Sequence, residues 1–174
     1  GCARLVVPGG GPFADAIRSL QPQFGFSDQV AHGMAILAMQ QYALLLQARE
    51  PQLAFVESEE DMAALCAAGR AGIWLPWRLS GREPALAASW EVTSDSIALW
   101  LAQRLAATGV IVVKRGSVPA CGTASAALAS GLVDAAFGRF LEGCSFPVHI
   151  VCEEAHGRLA ELVQGMCQQR EGRK

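Results

Sequence analysis

Leu5-Val6-Val7-Pro8-Gly9-Gly10-Gly11-Pro12-Phe13-Ala14-Asp15 is the stretch on which the reading of this chain turns. Three β-favouring apolar residues run straight into three glycines, and a proline stands where a helix would begin. Glycine lets the backbone turn sharply and leaves no side chain between its N–H groups and a ligand. Proline at a first helical position already has the helical φ and gives up only an N–H that would have no partner there. A strand, a bare turn and a helix N-terminus in succession can hold an anion. The same succession also serves as a tight turn that lets strand and helix pack closely, and the stretch alone leaves both readings open.

Working outward, the first strand spans about 3–7 and its helix about 12–20, with Pro22 and Gly25 as breakers. Ser27-Asp28 offers an N-cap with an acid in the first turn. From there to about 47 runs one long helix, apolar over most of its circumference. Val30, Met34, Leu37, Ala38, Tyr42 and Leu45 lie on one broad face, which Ile36, Met39 and Leu44 widen, and a helix this apolar is either sandwiched or paired with a second subunit. A short strand follows over 53–56. Ser58 with Asp61 reads as a capping box for a helix ending at Gly69. Ile73-Trp74-Leu75 is another short strand, and 78–92 form the one long loop, the kind usually tied to function or motion. Thr93-Ser94-Asp95 caps a helix to about 108 with Gly109 as its stop. Then come a strand over 110–113, short helices near 124–129 and 134–141, a last strand over 148–151 and a last helix over 155–164 before a charged tail.

Five short apolar strands alternating with helices read as an α/β fold, a three-layer α/β/α sandwich with a mostly parallel sheet. In such sheets ligands bind beyond the carboxyl ends of the strands. That rule places residues 9–11, 76–77 and 114–116 at one edge.

The composition narrows the function classes. The chain has 174 residues, 52% of them apolar and 17% charged, which suits one compact domain over 1–174. A formal charge of −2 and only two lysines, Lys114 and Lys174, supply no basic field for nucleic acid. No apolar run reaches membrane-spanning length. Six cysteines without a C-x-x-C pair read as small buried apolar residues in a reducing compartment, the cytoplasm.

The P-loop, zincin and hydrolase-elbow motifs are absent. The three histidines are isolated from any cysteine or acid pattern, so no metal site is expected. His32, inside the long apolar helix, is a packed or interface residue, or alternatively a ligand or base. Gly9-x-Gly11-x-x-Ala14 matches the dinucleotide fingerprint in form, but the acid expected about 20 residues on is missing. Two further groups carry chemistry. Thr93-Ser94-Asp95-Ser96 places hydroxyls and an acid at a helix start, where they cap the helix or hold a substrate and orient a lysine. Lys114-Arg115-Gly116-Ser117 places cations at a strand's carboxyl end, either solvated or stabilising an anion.

These residues also carry a resemblance. Val6-Val7-Pro8-Gly9-Gly10-Gly11, then Ser27-Asp28 opening a long helix, then Thr93-Ser94-Asp95-Ser96-Ile97-Ala98 before a helix and an apolar strand, resemble the amino-acid kinase superfamily. That superfamily includes the aspartate, acetylglutamate and uridylate kinases. VPGGGPFAD, AHGMAILAMQQY and WEVTSDSIALWLA are most similar to a small branch associated with building methanofuran and related one-carbon carriers. The resemblance runs from residue 5 to about 165 and includes Leu132-Val133-Asp134.

What it implies can be placed residue by residue. Gly9, Gly10 and Gly11 would bind the phosphate-accepting substrate, with Thr93 and Ser94 adding contacts. Asp95 would organise the catalytic Lys114. Lys114, Arg115, Gly116 and Ser117 would line the nucleotide side. The chemistry implied is transfer of the γ-phosphoryl of ATP, with Mg²⁺, to a small acceptor such as an aminomethyl-furan phosphate. The superfamily's Lys-x-Gly-Gly-Ser donor loop has no counterpart before Leu5, so the domain is expected to lack the first strand and that loop. A non-catalytic regulatory or structural subunit of the same fold is the competing expectation. The long helix over 28–47 is expected to pair copies of the chain.

Overall fold

The computed structural model of the chain describes residues 3–115, 123–152 and 156–171. The fold is α/β, and it divides into two compact units, Gly1–Ser94 and Asp95–Lys174.

The first unit contains β1 (Arg4–Val6), α1 (Gly11–Phe24), α2 (Asp28–Arg49), β2 (Ala54–Val56), α3 (Glu59–Ala67), β3 (Ala71–Trp74) and a single turn of helix, α4 (Trp77–Ser80). The strands form a parallel sheet in the order β1-β3-β2, with Val6 opposite Ile73 and Val56 opposite Trp74. β3 is central, and its Gly72, Ile73 and Trp74 are buried, as a strand flanked on both sides requires. Because all three strands run the same way, the residues after β1 and after β3 leave the sheet at one edge. The grouping of 9–11 with 76–77 therefore holds within this unit.

α1 extends further than its proline suggested. It continues through Pro22 and stops at Gly25, whose left-handed backbone brings its N–H to the Gln21 carbonyl at 2.8 Å. A proline so near a helix C-terminus forfeits only one bond, so a glycine in the left-handed region is what ends the helix.

α2 buries part of its apolar circumference. Ala31, Ile36, Ala38, Met39 and Ala43 point inward, whereas Val30, Leu37, Leu44 and Leu45 are exposed. Small residues set the inner face because α1 packs closely along it, with Ile17, Ala31 and Ala38 forming one core cluster. A second cluster joins Ala43 to Ile73 and Leu75. The capping box of α3 is formed. Ser58 Oγ accepts from the Asp61 N–H at 3.1 Å, and the Asp61 carboxylate accepts from the N–H groups of Glu57 and Ser58 at 3.0 Å. These bonds hold the Asp61 carboxyl below its ordinary value.

The second unit contains α5, which begins at the last residue of the first unit (Ser94–Arg104), then β4 (Val110–Lys114), α6 (Ala124–Ala129), α7 (Phe137–Glu142), β5 (Val148–Cys152) and α8 (His156–Glu171). β4 and β5 pair in parallel as a separate two-stranded sheet, with Val110 opposite Val148 and Lys114 opposite Cys152. Ile97, Leu99, Trp100, Leu101, Val112, Phe137 and Ile150 are buried.

α5 ends at Arg104, several residues before the expected stop at Gly109. Ala106 takes the left-handed conformation, φ +47°, and the Ala107 N–H closes on the Ala102 carbonyl at 2.9 Å. That is the glycine-type helix stop made by an alanine, which is why no glycine marked it. α8 runs on to Glu171, beyond the end expected near 164.

Cys66 is exposed and Cys144 and Cys167 are half-buried, and none of the three is in a disulfide. The expectation of buried cysteines therefore fails for Cys66, which sits on the outer face of α3. Among the described residues no helix is long and apolar enough to cross a membrane.

Candidate active site

The glycine loop leaves β1 at its carboxyl end, behind the fully buried Pro8. Gly10 is helical (φ −76°, ψ −21°) and Gly11 left-handed (φ +52°). That alternation turns successive main-chain N–H groups toward a common side. Pro12 contributes no N–H, so the donors are those of the glycines themselves. Among the described residues no main-chain carbonyl accepts from them.

Two of the three glycines have a steric reason. A Cβ on Gly10 would fall 2.4 Å from the Ala14 Cβ. At Gly11 a Cβ would meet the Tyr42 ring at 2.9 Å, on a backbone that L-residues rarely adopt. A Cβ on Gly9 would meet only the Ser94 Oγ, at an ordinary 3.7 Å. Ser94 thus lies beside the loop. Thr93 precedes it, half-buried.

α2 supports this edge from below. Its Tyr42 sits under Gly11 and makes an edge-to-face contact with Phe13 at 6.4 Å. Its Gln40 side chain accepts from the Trp77 N–H at 3.2 Å, just past β3. The segment leading to Ser94 is also anchored. Trp90 Nε1 donates to Gln21 Oε1 at 2.6 Å, and Gln21 Nε2 donates in turn to Asp28 at 2.7 Å. The Arg18 guanidinium lies 4.4 Å from the centre of the Trp90 ring. His32 on α2 carries a buried Nε2 with no hydrogen-bond partner among the described residues. Burial lowers its pKa, which keeps the ring neutral at neutral pH.

In the second unit Asp95 and Lys114 meet. Lys114 Nζ donates to Asp95 Oδ2 at 2.7 Å, and both side chains are largely covered, 11% exposed for Asp95 and 21% for Lys114. Asp95 is placed by the first turn of α5 and Lys114 by the carboxyl end of β4. Burial raises the Asp95 pKa. The Lys114 ammonium and a main-chain N–H from Asp134 work against that rise, and the charge of the Asp134 carboxylate adds to it.

Arg115 follows, exposed at the end of β4, while Gly116 and Ser117 lie outside the described residues. Asp134 entered the sequence reading only within Leu132-Val133-Asp134, with no role of its own. Its carboxylate accepts from the Ser96 N–H at 3.1 Å and from the Ser96 hydroxyl. Nothing local marked it, because its partners lie 38 residues back in the chain. Among the described residues no group of three or more His, Cys, Asp or Glu side chains could hold a metal ion.

Chemically, the first unit offers main-chain donors and a hydroxyl suited to a small anion. The second offers a fixed ammonium at a strand end, held by a carboxylate that cannot easily relax away.

No family model matches the chain. It is 24% identical over 111 residues to the [5-(aminomethyl)furan-3-yl]methyl phosphate kinase of Methanocaldococcus jannaschii, a match covering 62% of this chain and 50% of that protein. The chain thus spans about half the length of this curated relative. The crystal structure of the uridylate kinase from Archaeoglobus fulgidus superposes with a TM-score of 0.58 at 17% identity, covering 87% of this chain and 76% of that one. At that identity the likeness is one of fold. The two similarities, both at low identity, support an amino-acid kinase-like superfamily.

Proposed function

We propose that this chain is a small-molecule phosphotransferase that moves the γ-phosphoryl group of ATP to a small acceptor. The observation that carries the reading is the 2.7 Å pair of Lys114 and Asp95, an ammonium held at a strand's carboxyl end by a buried carboxylate. Phosphoryl transfer asks a protein mainly for positioning and for positive charge where negative charge spreads, and that is what a held lysine supplies. The similarity to a phosphate kinase agrees with it.

In this reading the N–H groups of Gly9, Gly10 and Gly11, with Thr93 and Ser94, bind and orient the acceptor. Lys114, Arg115, Gly116 and Ser117 bind the phosphates of ATP, and Asp95 keeps Lys114 in place. An acceptor oxygen forms a bond to the γ-phosphorus as the bond to the β-phosphate oxygen breaks. ADP leaves, and any proton on the acceptor oxygen passes to solvent. Mg²⁺ would supply charge neutralisation at the phosphates. The described carboxylates suit an ion carried in on the nucleotide better than one caged by protein, since Asp95 and Asp134 are already engaged with Lys114 and Ser96.

The acceptor we assign is an aminomethyl-furan phosphate, on the strength of the relative's activity. We also assign the chain to a reducing compartment, the cytoplasm, from Cys66 and Cys144, neither of which forms a disulfide. The exposed stripe of Val30, Leu37 and Leu44 on α2 is the surface through which copies would pair.

The test is direct. Incubation with ATP, Mg²⁺ and [5-(aminomethyl)furan-3-yl]methyl phosphate should release ADP in step with a diphosphate product, followed by phosphorus NMR. Calorimetry run alongside reports nucleotide binding. Binding of ATP without turnover of any phosphate or hydroxyl acceptor would instead make the chain a non-catalytic subunit.

A further inference from the structure

A carboxylate and an ammonium 2.7 Å apart still have freedom to rotate, and the phosphotransferase reading needs the ammonium at one place. The second unit contains a device that removes this freedom. The Asp134 main-chain N–H donates to the Asp95 carboxylate. The Asp134 side chain reaches the other way and accepts both the N–H, at 3.1 Å, and the hydroxyl of Ser96. Two neighbouring residues of α5 and one residue of the turn before α7 therefore clasp one another through backbone and side chain in both directions. The arrangement is that of a capping box, but between segments 38 residues apart. Ser96 is fully buried, so its hydroxyl depends on Asp134 for a partner.

We infer that Asp134 is a positioning residue of the phosphotransferase site, fixing the Asp95 carboxylate and through it the Lys114 ammonium by its clasp on Ser96. The inference rests on the proposed function for its consequence in turnover, but its physical content concerns only the surroundings of Lys114. A merely structural Asp134 would stabilise the turn before α7 and leave the lysine as it was. A positioning Asp134 changes the lysine itself when it is removed.

The sequence provides the readout, since Lys114 and Lys174 are its only lysines. Protein grown on lysine carrying ¹³C at Cε shows two lysine side-chain signals, with Lys174 as internal reference and Lys114→Arg to assign them. Asp134→Ala should move the Lys114 signal. Asp134→Asn, which keeps an acceptor oxygen, should move it less, and Ser96→Ala should move it in the same direction as Asp134→Ala. With acceptor and ATP, Asp134→Ala should lower kcat by up to about 100-fold at nearly constant KM, and Asp134→Asn should restore part of it.

A folded Asp134→Ala or Asp134→Asn protein whose Lys114 signal matches the wild type overturns the inference, whatever its activity. If Asp134→Ala does not fold, the Asp134→Asn and Ser96→Ala proteins decide the matter by the same signal. Lack of turnover in the wild type would remove the phosphotransferase reading, while the Lys114 signal would still decide whether Asp134 positions Lys114.

Discussion

The glycine loop and the Asp95–Lys114 cluster are both suited to anions, and they are built by opposite means. The loop works by omission. In the proposed site it would meet its ligand with main-chain N–H donors, and side chains on Gly10 and Gly11 would strike Ala14 and Tyr42. The cluster works by burial, with a carboxylate kept from water and an ammonium, a serine hydroxyl and a main-chain N–H arranged around it and its neighbour Asp134. A site made of backbone is robust to charge and fragile to volume. A site made of buried charge is the reverse, because its geometry survives a change of shape better than the loss of a partner.

The predictions sharpen this contrast, from the largest effect to the smallest. Removing charge from the cluster should cost the most in rate: Lys114→Ala and Asp95→Asn should each lower kcat by about 10²- to 10³-fold. Circular dichroism should show both proteins folded, and wild-type-like rates in either would take that residue out of the site.

Adding volume to the loop should cost the most in stability. Gly10→Ala should lose about 2–3 kcal/mol in denaturant unfolding, because its methyl meets the first turn of α1. Gly9→Ala should unfold like the wild type, since its methyl makes only an ordinary contact with Ser94, yet raise KM for the acceptor. If Gly9→Ala leaves that KM unchanged, the loop is a packing turn and not an acceptor site.

The third prediction sets activity against stability through Asp95. Its pKa is raised by burial, so the folded chain binds this proton more tightly than the unfolded chain does. The stabilising contribution of the protonated carboxyl is complete below the ordinary carboxylate range and is lost as pH rises through the higher folded value. The ion pair with Lys114 needs the ionised form. As pH falls through that window turnover should fall while the Asp95 contribution to stability grows, and Asp95→Asn should flatten the second trend. Melting temperatures and kcat/KM measured across the same pH range test both.

The smallest effect lies away from both sites. Two helices end with the same turn, α3 at Gly69 and α5 at Ala106, both left-handed. Ala106→Gly should stabilise the chain by about 0.5–1 kcal/mol in denaturant unfolding, since it relieves the strain that glycine avoids at Gly69.

Much of the fold was legible because its signals are local. A capping box needs only Ser58 and Asp61, a helix start only a proline after glycines, and a buried strand only a short run such as 110–113. The readings that failed turned on competition between local signals and packing. Pro22 sits inside α1 because a last-turn proline costs little, and α5 stops early because Ala106 accepts a conformation its type disfavours. The apolar circumference of α2 could not say which face is buried. The small residues Ala31, Ala38 and Ala43 face inward because close packing selects small residues, not the most hydrophobic ones.

By itself the sequence determined the parallel α/β alternation, the loop at Gly9–Gly11 and the candidates Asp95 and Lys114. Periodicity, glycine and strand-end position are all written within a few residues of one another. The resemblance implied that Asp95 organises Lys114, and only the tertiary structure showed the direct bond between them and the clasp of Asp134 on Ser96. These bonds join residues 19 and 38 positions apart, and no local pattern records a partner that folding alone brings within hydrogen-bonding distance.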